Sequence, residues 1–380
     1  MTNDRDFDIV LLGATGFTGS LTADYLATHL PAGARWAVAG RSPERLAALG
    51  LDAPVLAADI TDAGSLADLA ARTRVLVSTV GPYLAYGEPV VRACADAGTD
   101  YLDLTGEPEF VDRMYVAHHA TAVRSGARLV HACGFDSVPH DLGAYFTVKQ
   151  LEPVTEPLAI RGVVRVGGSF SGGTLHSALG QLSRGRQLAE AARARRRLEP
   201  TPAGRRSRAV AGRPGRDAEL GYWLLPLPTI DPAVVARSGA ALASYGPSFS
   251  YSHFAGTKTL RYAVGGAGLV GAVAVAAQVG PLRERIGRRL TPGEGPSEER
   301  RARSWFTVDF LATTGSRTVR TRVSGGDPGY TETARMLGES AMCLAFDDNP
   351  PTSGQVTTAT AMGESLLARL QEAGLRFEVR

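Results

Sequence analysis

A hydrophobic stretch, Phe7-Asp-Ile-Val-Leu-Leu12, runs directly into Gly13-Ala-Thr-Gly16-Phe-Thr-Gly19. Few junctions constrain a fold as tightly, because this one asks for a strand, a glycine elbow and a helix in immediate succession. The first glycine permits a turn that a β-carbon would block, and the second lets a diphosphate reach the backbone. The third allows close helix–strand packing, while free N–H groups at the helix start face an anion. Dinucleotide binding at this elbow is the first expectation, with Gly13, Thr15, Gly16, Phe17 and Thr18 as its cofactor-facing residues.

The following segments repeat the alternation that such a sheet needs. Strands are expected at 7–12, 36–40, 54–58, 74–79, 101–104 and 128–131, separated by helices at 16–29, 43–49, 64–71, 88–97 and 109–125. Short apolar strands alternating with amphipathic helices imply a parallel, doubly wound α/β sheet of Rossmann type. Its ligand crevice lies at the carboxyl ends of the strands. Those ends carry Gly40-Arg41-Ser42, Asp59, Val80-Gly81-Pro82-Tyr83 and Asp103-Leu-Thr-Gly-Glu107.

The end of the second strand selects the cofactor. A carboxylate there would bond the ribose 2′-hydroxyl of NAD and repel the 2′-phosphate of NADP. This chain has Arg41 and Ser42, a guanidinium and a hydroxyl suited to the phosphate, so NADP is expected. Ser42 also stands where a helix cap before Pro43 belongs. Asp59 either touches the adenine or starts the next helix. Val80 and Gly81 are expected beside the nicotinamide half, and Tyr83 is either a second-domain contact or a proton donor.

Further on, Cys133-Gly-Phe-Asp-Ser-Val-Pro-His-Asp141 leaves the sheet as a polar stretch joining a cofactor strand to whatever follows. His140 is a candidate acid, oriented by Asp136 or Asp141; alternatively, Asp141 or Ser137 caps a helix at 142–150. Tyr145 and Lys149 have the Tyr-x-x-x-Lys spacing of short-chain dehydrogenases, but the glycine loop lacks that superfamily's arrangement and the match reads as coincidence.

The 380 residues allow two domains, and a net charge of +3 excludes little. Three cysteines without a Cys-x-x-Cys, and seven histidines without His-x-x-x-His or His-Glu-x-x-His, predict no disulfide scaffold and no metal. The polar start of the chain is unlike a secretory signal, so a cytoplasmic protein is expected. An Arg-rich stretch at 184–216, poor in aromatics, argues against nucleic acid; it is either a solvated basic surface or a dock for an acidic partner. The uncharged run 262–279 is near the lower limit for a membrane span but is weakly apolar. It reads as a buried helix, an acyl-tunnel wall, or a segment in peripheral contact with the inner face of the membrane.

The glycine loop, Val80-Gly-Pro-Tyr83, Tyr101-Leu-Asp-Leu-Thr-Gly-Glu107 and Cys133-Gly-Phe-Asp-Ser-Val-Pro-His-Asp-Leu-Gly143 together resemble the saccharopine dehydrogenase-like oxidoreductases, with a closer likeness to the trans-acting enoyl reductase branch. The resemblance continues through Gly172-Gly-Thr174, Gly329-Tyr330 with Thr333-Ala-Arg-Met336, and Thr360-Ala-Met-Gly363 with the tail. It implies an NADP-binding Rossmann domain at 1–140, an α+β substrate domain at 141–345 and a C-terminal helix at 346–380 packing back on the first. It also implies reduction of an acyl or polyketide thioester in lipid biosynthesis, supplied by an acyl carrier protein or a polyketide synthase. The alternatives are a saccharopine dehydrogenase-like reductase with another substrate, a non-catalytic NADP sensor, and a membrane lipid-handling protein.

Overall fold

The computed structural model describes residues 5–167, 184–262, 264–266, 268 and 295–380. They form two compact units, Met1–Val138 with Gly329–Ala373, and Pro139–Pro328 with Gly374–Arg380. The chain thus leaves the first unit, builds the second, returns, and ends in the second. The sequence reading instead ran the second domain as one block to residue 345.

In the first unit, strands β1 (Phe7–Leu12), β2 (Trp36–Gly40), β3 (Val55–Ala57), β4 (Thr73–Ser78), β5 (Asp100–Asp103) and β6 (Arg128–Val130) join a seventh, Gly354–Val356. The order is Gly354–Val356, β6, β5, β4, β1, β2, β3, and every pair is parallel. Ile9, Val10, Leu11 and Leu12 of the central β1 are at most 1% exposed, as an apolar run covered on both faces requires. Leu12 pairs with Ala39 on one side and Ser78 on the other. The strand order reverses beside β1, which places the crevice at the ends of β1 and β4.

Helix Thr331–Phe346 explains why the chain returns. It is buried on nearly every side, lies against β1, β4, β5 and helix Phe17–His29, and carries two acids that are both partnered. Glu339 accepts from the Tyr25 hydroxyl at 2.6 Å, and Glu332 is paired with Arg335 at 2.8 Å. A helix buried on nearly every side, with its charged groups paired, sits inside a layer. Gly338 allows this packing, since a β-carbon there would meet the Tyr25 ring at 2.6 Å.

The second unit is a mixed eight-stranded sheet. Its strands are β7 (Leu158–Gly167), β8 (Arg206–Ala209), β9 (Gly215–Arg216), β10 (Trp223–Pro226), β11 (Ser248–Thr257), β12 (Trp305–Thr314), β13 (Arg317–Gly325) and the C-terminal Arg376–Val379. They run in the order Arg376–Val379, β13, β12, β7, β11, β10, β9, with β8 beside β11. Helix Val138–Lys149 packs on this sheet. Gly143 clears the Phe310 ring, which a β-carbon would meet at 2.4 Å, and the Thr147 and Thr321 hydroxyls bond at 2.6 Å. Asp309, fully buried in β12, is held by two bonds from Arg322, each 2.9 Å, and by Arg320 at 3.3 Å. A buried carboxylate needs that much compensation.

Candidate functional site

The glycine elbow is assembled from β1, β4 and the start of helix Phe17–His29. Gly13 has a φ of +98°, which a side chain would resist, and its N–H donates to Ala39 O at 3.0 Å. The Thr79 hydroxyl donates beneath it to Leu12 O at 3.2 Å or Gly13 O at 3.1 Å. At Gly19 a β-carbon would stand 2.2 Å from Gly13 O, so helix and turn touch backbone to backbone. Gly16 occupies the cap position of the helix with no side-chain cap. Thr15 and Gly16 are exposed, and the half-buried Phe17 packs edge-on against Tyr330 at 4.8 Å. Thr18 lies in the first helical turn, its carbonyl accepting from the Thr22 hydroxyl at 2.8 Å. The result is an uncapped helix start with an open backbone rim, the geometry that binds a diphosphate.

At the end of β2, Arg41 is exposed and Ser42 caps helix Pro43–Ala47, accepting from Arg45 N–H at 3.4 Å. The Ser42 hydroxyl also donates to Glu44 at 3.0 Å. Asp59 follows β3. Its carboxylate accepts from the Thr61 N–H at 2.9 Å and hydroxyl at 2.8 Å, and Asp62 caps the next helix. Those two Thr61 bonds, with a smaller contribution from the Arg41 charge, hold Asp59 below the usual carboxylate range. Arg41 and Asp59 therefore share one neighbourhood beyond the ends of β2 and β3.

The other side of the crevice is built from the loops after β4, β5 and β6. Val80 is half-buried and Gly81 exposed. Tyr83, expected as a contact or proton donor, is instead 7% exposed. Its hydroxyl donates to Ser78 O at 3.0 Å and accepts from Leu104 N–H at 3.2 Å. Burial, reinforced by the Asp103 charge, pushes this phenol well above its ordinary pKa. Its proton is already engaged, so the side chain braces the end of β4 against the end of β5. Glu107 accepts from the N–H groups of Tyr83 (3.3 Å) and Leu84 (2.8 Å), tying the same two loops.

Asp103, which sequence reasoning did not single out, is the hinge-pin of this side. It is fully buried and accepts from Thr105 N–H at 3.0 Å, Ala132 N–H at 3.0 Å and the His131 ring at 2.7 Å. One carboxylate thereby fixes the loops after both β5 and β6. Ala132 sits at a φ of 61°, left-handed backbone that a non-glycine residue holds only under constraint. Beyond it, Phe135 N–H donates to the Thr333 hydroxyl at 3.1 Å. The half-buried Asp136 has its carboxylate against Gly106, 3.0 Å from where a β-carbon would be.

In the second unit, Asp231 is a carboxylate partner of His140 that the sequence did not suggest beside Asp136 and Asp141. Asp141 accepts from the Ser238 hydroxyl at 2.6 Å, and it lies inside helix Val138–Lys149 rather than at its cap. His140 is 2% exposed, with its Nδ1 3.1 Å from Asp231 Oδ1. His253 Nε2 lies 3.7 Å from Asp231 Oδ2, and its Nδ1 is 3.2 Å from the Tyr251 hydroxyl. Burial alone would raise the Asp231 pKa, but the combined pull of His140 and His253 takes it far below normal. Burial, aided by His140, depresses His253 to about 3. No metal was expected from spacing, yet these three side chains form a group able to hold one, their ligand atoms all within 4.8 Å. They come from positions 140, 231 and 253, and a set assembled over such distances leaves no local motif. Lys149 lies over the Tyr145 ring face, 5.9 Å from its centroid. That is a cation–π contact.

The Arg-rich stretch forms helix Gly185–Leu198 and strands β8 and β9, and the helix buries none of its residues. Most of the run 262–279 falls outside the described residues, as do Gly172, Gly173 and Thr174. Among the described residues no helix is long and apolar enough to cross a membrane.

Comparison with known proteins agrees with this architecture. Residues 9–130 match the saccharopine dehydrogenase NADP-binding domain. The chain belongs to the saccharopine dehydrogenase-like oxidoreductases. It is 39% identical to a putative trans-acting enoyl reductase of Mycobacterium tuberculosis, over 98% of this chain and 97% of that one. It is 36% identical to a trans-acting enoyl reductase of Mycobacterium ulcerans, again over 98% and 97%. Its fold is similar to that of saccharopine dehydrogenase from Saccharomyces cerevisiae, with a TM-score of 0.57 at 13% identity, covering 98% of this chain and 99% of that one. The protein is an NADP-dependent oxidoreductase.

Proposed function

We propose that this oxidoreductase is a trans-acting enoyl reductase, saturating the carbon–carbon double bond of an acyl or polyketide thioester made by another enzyme in lipid biosynthesis. The observation that carries the reading is the 39% identity, across 98% of the chain, to a protein of that name. NADPH held at the elbow would provide the hydride for the β-carbon, and a protein group would provide the proton for the α-carbon. The Gly16 N–H closes the turn on Gly13 O at 3.1 Å, so the N–H groups of Phe17 and Thr18 bind the diphosphate where Gly16 lets it approach, Arg41 and Ser42 take the 2′-phosphate, and Asp59 borders the adenosine. Val80 and Gly81 line the nicotinamide side. Of the candidate acids, Asp136 is favoured to hold the transferred proton, because its carboxylate is half-buried on a strained loop at the cofactor side of the sheet. Tyr83 acts as a brace, and the buried His140 as a partner of Asp231.

The substrate arrives on an acidic carrier, an acyl carrier protein or the carrier of a polyketide synthase, that docks on the basic surface in the cytoplasm. Support comes from charge. Glu190 and Glu199 are engaged by Arg186, and by Arg195 and Arg237, while Arg193, Arg196, Arg197, Arg206 and Arg208 stand exposed. Such a field speeds encounter with an anionic partner.

The test is NADPH consumption with enoyl thioesters, free and carrier-bound. Turnover with saturated product is expected, with Arg193, Arg196 and Arg197 changed together to Glu raising KM for the carrier-bound substrate alone. NADPH binding without turnover on any enoyl thioester would refute the reading and leave an NADP sensor.

A further inference from the structure

We propose that His140, Asp231 and His253 form a binding site for a late first-row divalent cation, zinc or its chemical neighbours, inside the second unit. The donor set of two imidazoles and one carboxylate is one that zinc accepts, and hard oxygen-seeking cations such as magnesium do not. All three residues are at least nine-tenths buried, so the cluster is set apart from competing surface acids.

Three elements present the donors. His140 lies in the first turn of helix Val138–Lys149, Asp231 opens helix Asp231–Ala241, and His253 is in β11. Zinc bonds of about 2.0–2.1 Å put tetrahedral ligand atoms roughly 3.3 Å apart. His140 Nδ1 lies 3.1 Å from Asp231 Oδ1 and His253 Nε2 lies 3.7 Å from Asp231 Oδ2, so the carboxylate faces one imidazole with each oxygen at nearly that spacing. The whole set lies within 4.8 Å, so rotation of the two imidazoles about their side-chain bonds completes the approach. At 3.7 Å the His253–Asp231 edge is too long for a hydrogen bond but natural for two ligands of one ion.

The surroundings fit as well. A ligating imidazole usually has its second nitrogen bonded to an outer group that fixes ring and tautomer. The Tyr251 hydroxyl stands 3.2 Å from His253 Nδ1, leaving Nε2 to face the carboxylate. Tyr251 and His253 are two apart on one strand and share a face, and Gly162 on the neighbouring β7 makes room for that hydroxyl, which would lie 2.1 Å from a β-carbon. Water or another side chain fills the remaining coordination position. A cation here ties two helices to the sheet and gives this site a structural role, independent of how the elbow binds NADP.

The experiment uses the full chain, stripped with chelator and titrated with Zn²⁺, and with Co²⁺ for its visible spectrum. One equivalent bound per chain is expected, with a rise in melting temperature. Asp231→Asn and His253→Gln should each weaken uptake at least as much as the ~10–100-fold that loss of an outer-shell partner costs, while NADPH affinity stays as in the unaltered chain. Substoichiometric uptake, or uptake unchanged by either substitution, overturns the proposal. Should both variants misfold, X-ray absorption on the zinc-loaded natural chain decides. Scattering from two imidazoles supports the site, and scattering without imidazole, or with sulfur, refutes it.

Discussion

Replacing Gly19 by Ala separates the elbow's own geometry from ordinary helix energetics. On propensity alone the change should help, since Ala is favoured over Gly inside a helix by about 0.8–1 kcal/mol. The structure predicts the opposite. The new β-carbon would lie 2.2 Å from Gly13 O and 2.8 Å from the Thr79 hydroxyl oxygen, against a tight limit of 3.0–3.4 Å for real contacts. Backbone faces backbone, so helix and turn must separate by roughly 1 Å, and overpacking of that kind costs about 1–3 kcal/mol. A shift of that size would stretch an ordinary N–H···O bond of about 2.9 Å to a diphosphate beyond hydrogen-bond range. Losing one charge-assisted bond removes about 1.5–3 kcal/mol, a tenfold to hundredfold loss in NADPH affinity. Calorimetric titration with NADPH, beside thermal unfolding of the free protein, reads both effects. Gly16→Ala is the control: its β-carbon would sit 3.5 Å from Gly13 O, an ordinary contact, so stability should hold while affinity falls. If Gly19→Ala matches the natural chain in melting temperature and NADPH affinity, the close approach at the elbow has been misjudged.

Tyr83→Phe leaves Ser78 O and Leu104 N–H buried without their partner, so chemical denaturation should show a loss of about 1–3 kcal/mol. The folded variant should keep most of its turnover number, and a collapse of that number with stability intact would restore Tyr83 as the acid. Asp136→Asn should lower turnover by roughly 10²–10⁴-fold with little change in NADPH affinity; near-normal turnover would remove it from the chemistry. Burial depresses the pKa of His118 in the folded protein despite the opposing charge of Glu88. Because its unfolded value is about 6.5, the unfolded chain takes up the proton first. Stability should then decline as pH falls below that value and through the folded pKa, and an NMR titration should place the midpoint lower. A midpoint above 6.5 would contradict the assignment.

Most of the nucleotide-binding sheet was legible because local pattern and tertiary role coincide there. β1 and β2 begin and end where the apolar runs do, and β3 to β6 differ by one residue at most at either end. The seventh strand, Gly354–Val356, was not legible, since three residues beside β6 have no run of their own to announce them. The second domain expected at 141–345 would include residues 331–345, whereas helix Thr331–Phe346 is buried against β1, β4 and β5 in the first unit. At the elbow, the turn at Gly13, the close packing at Gly19 and the helix cap at Ser42 were readable because glycine and capping act locally. Asp103 was passed over because its importance lies in three long-range acceptors, and Asp231 because its partners are His140 and His253.

The central claim is a pyridine nucleotide seated on the elbow with its 2′-phosphate at Arg41. Calorimetry of the intact chain and of Arg41→Ala, each titrated with NADPH and with NADH, tests it most directly. The account predicts that the natural chain prefers NADPH and that the substitution erases about ten- to hundredfold of that preference while NADH affinity barely changes. An unchanged preference would displace the phosphate site from Arg41, and no binding of either nucleotide by well-folded protein would contradict the account itself.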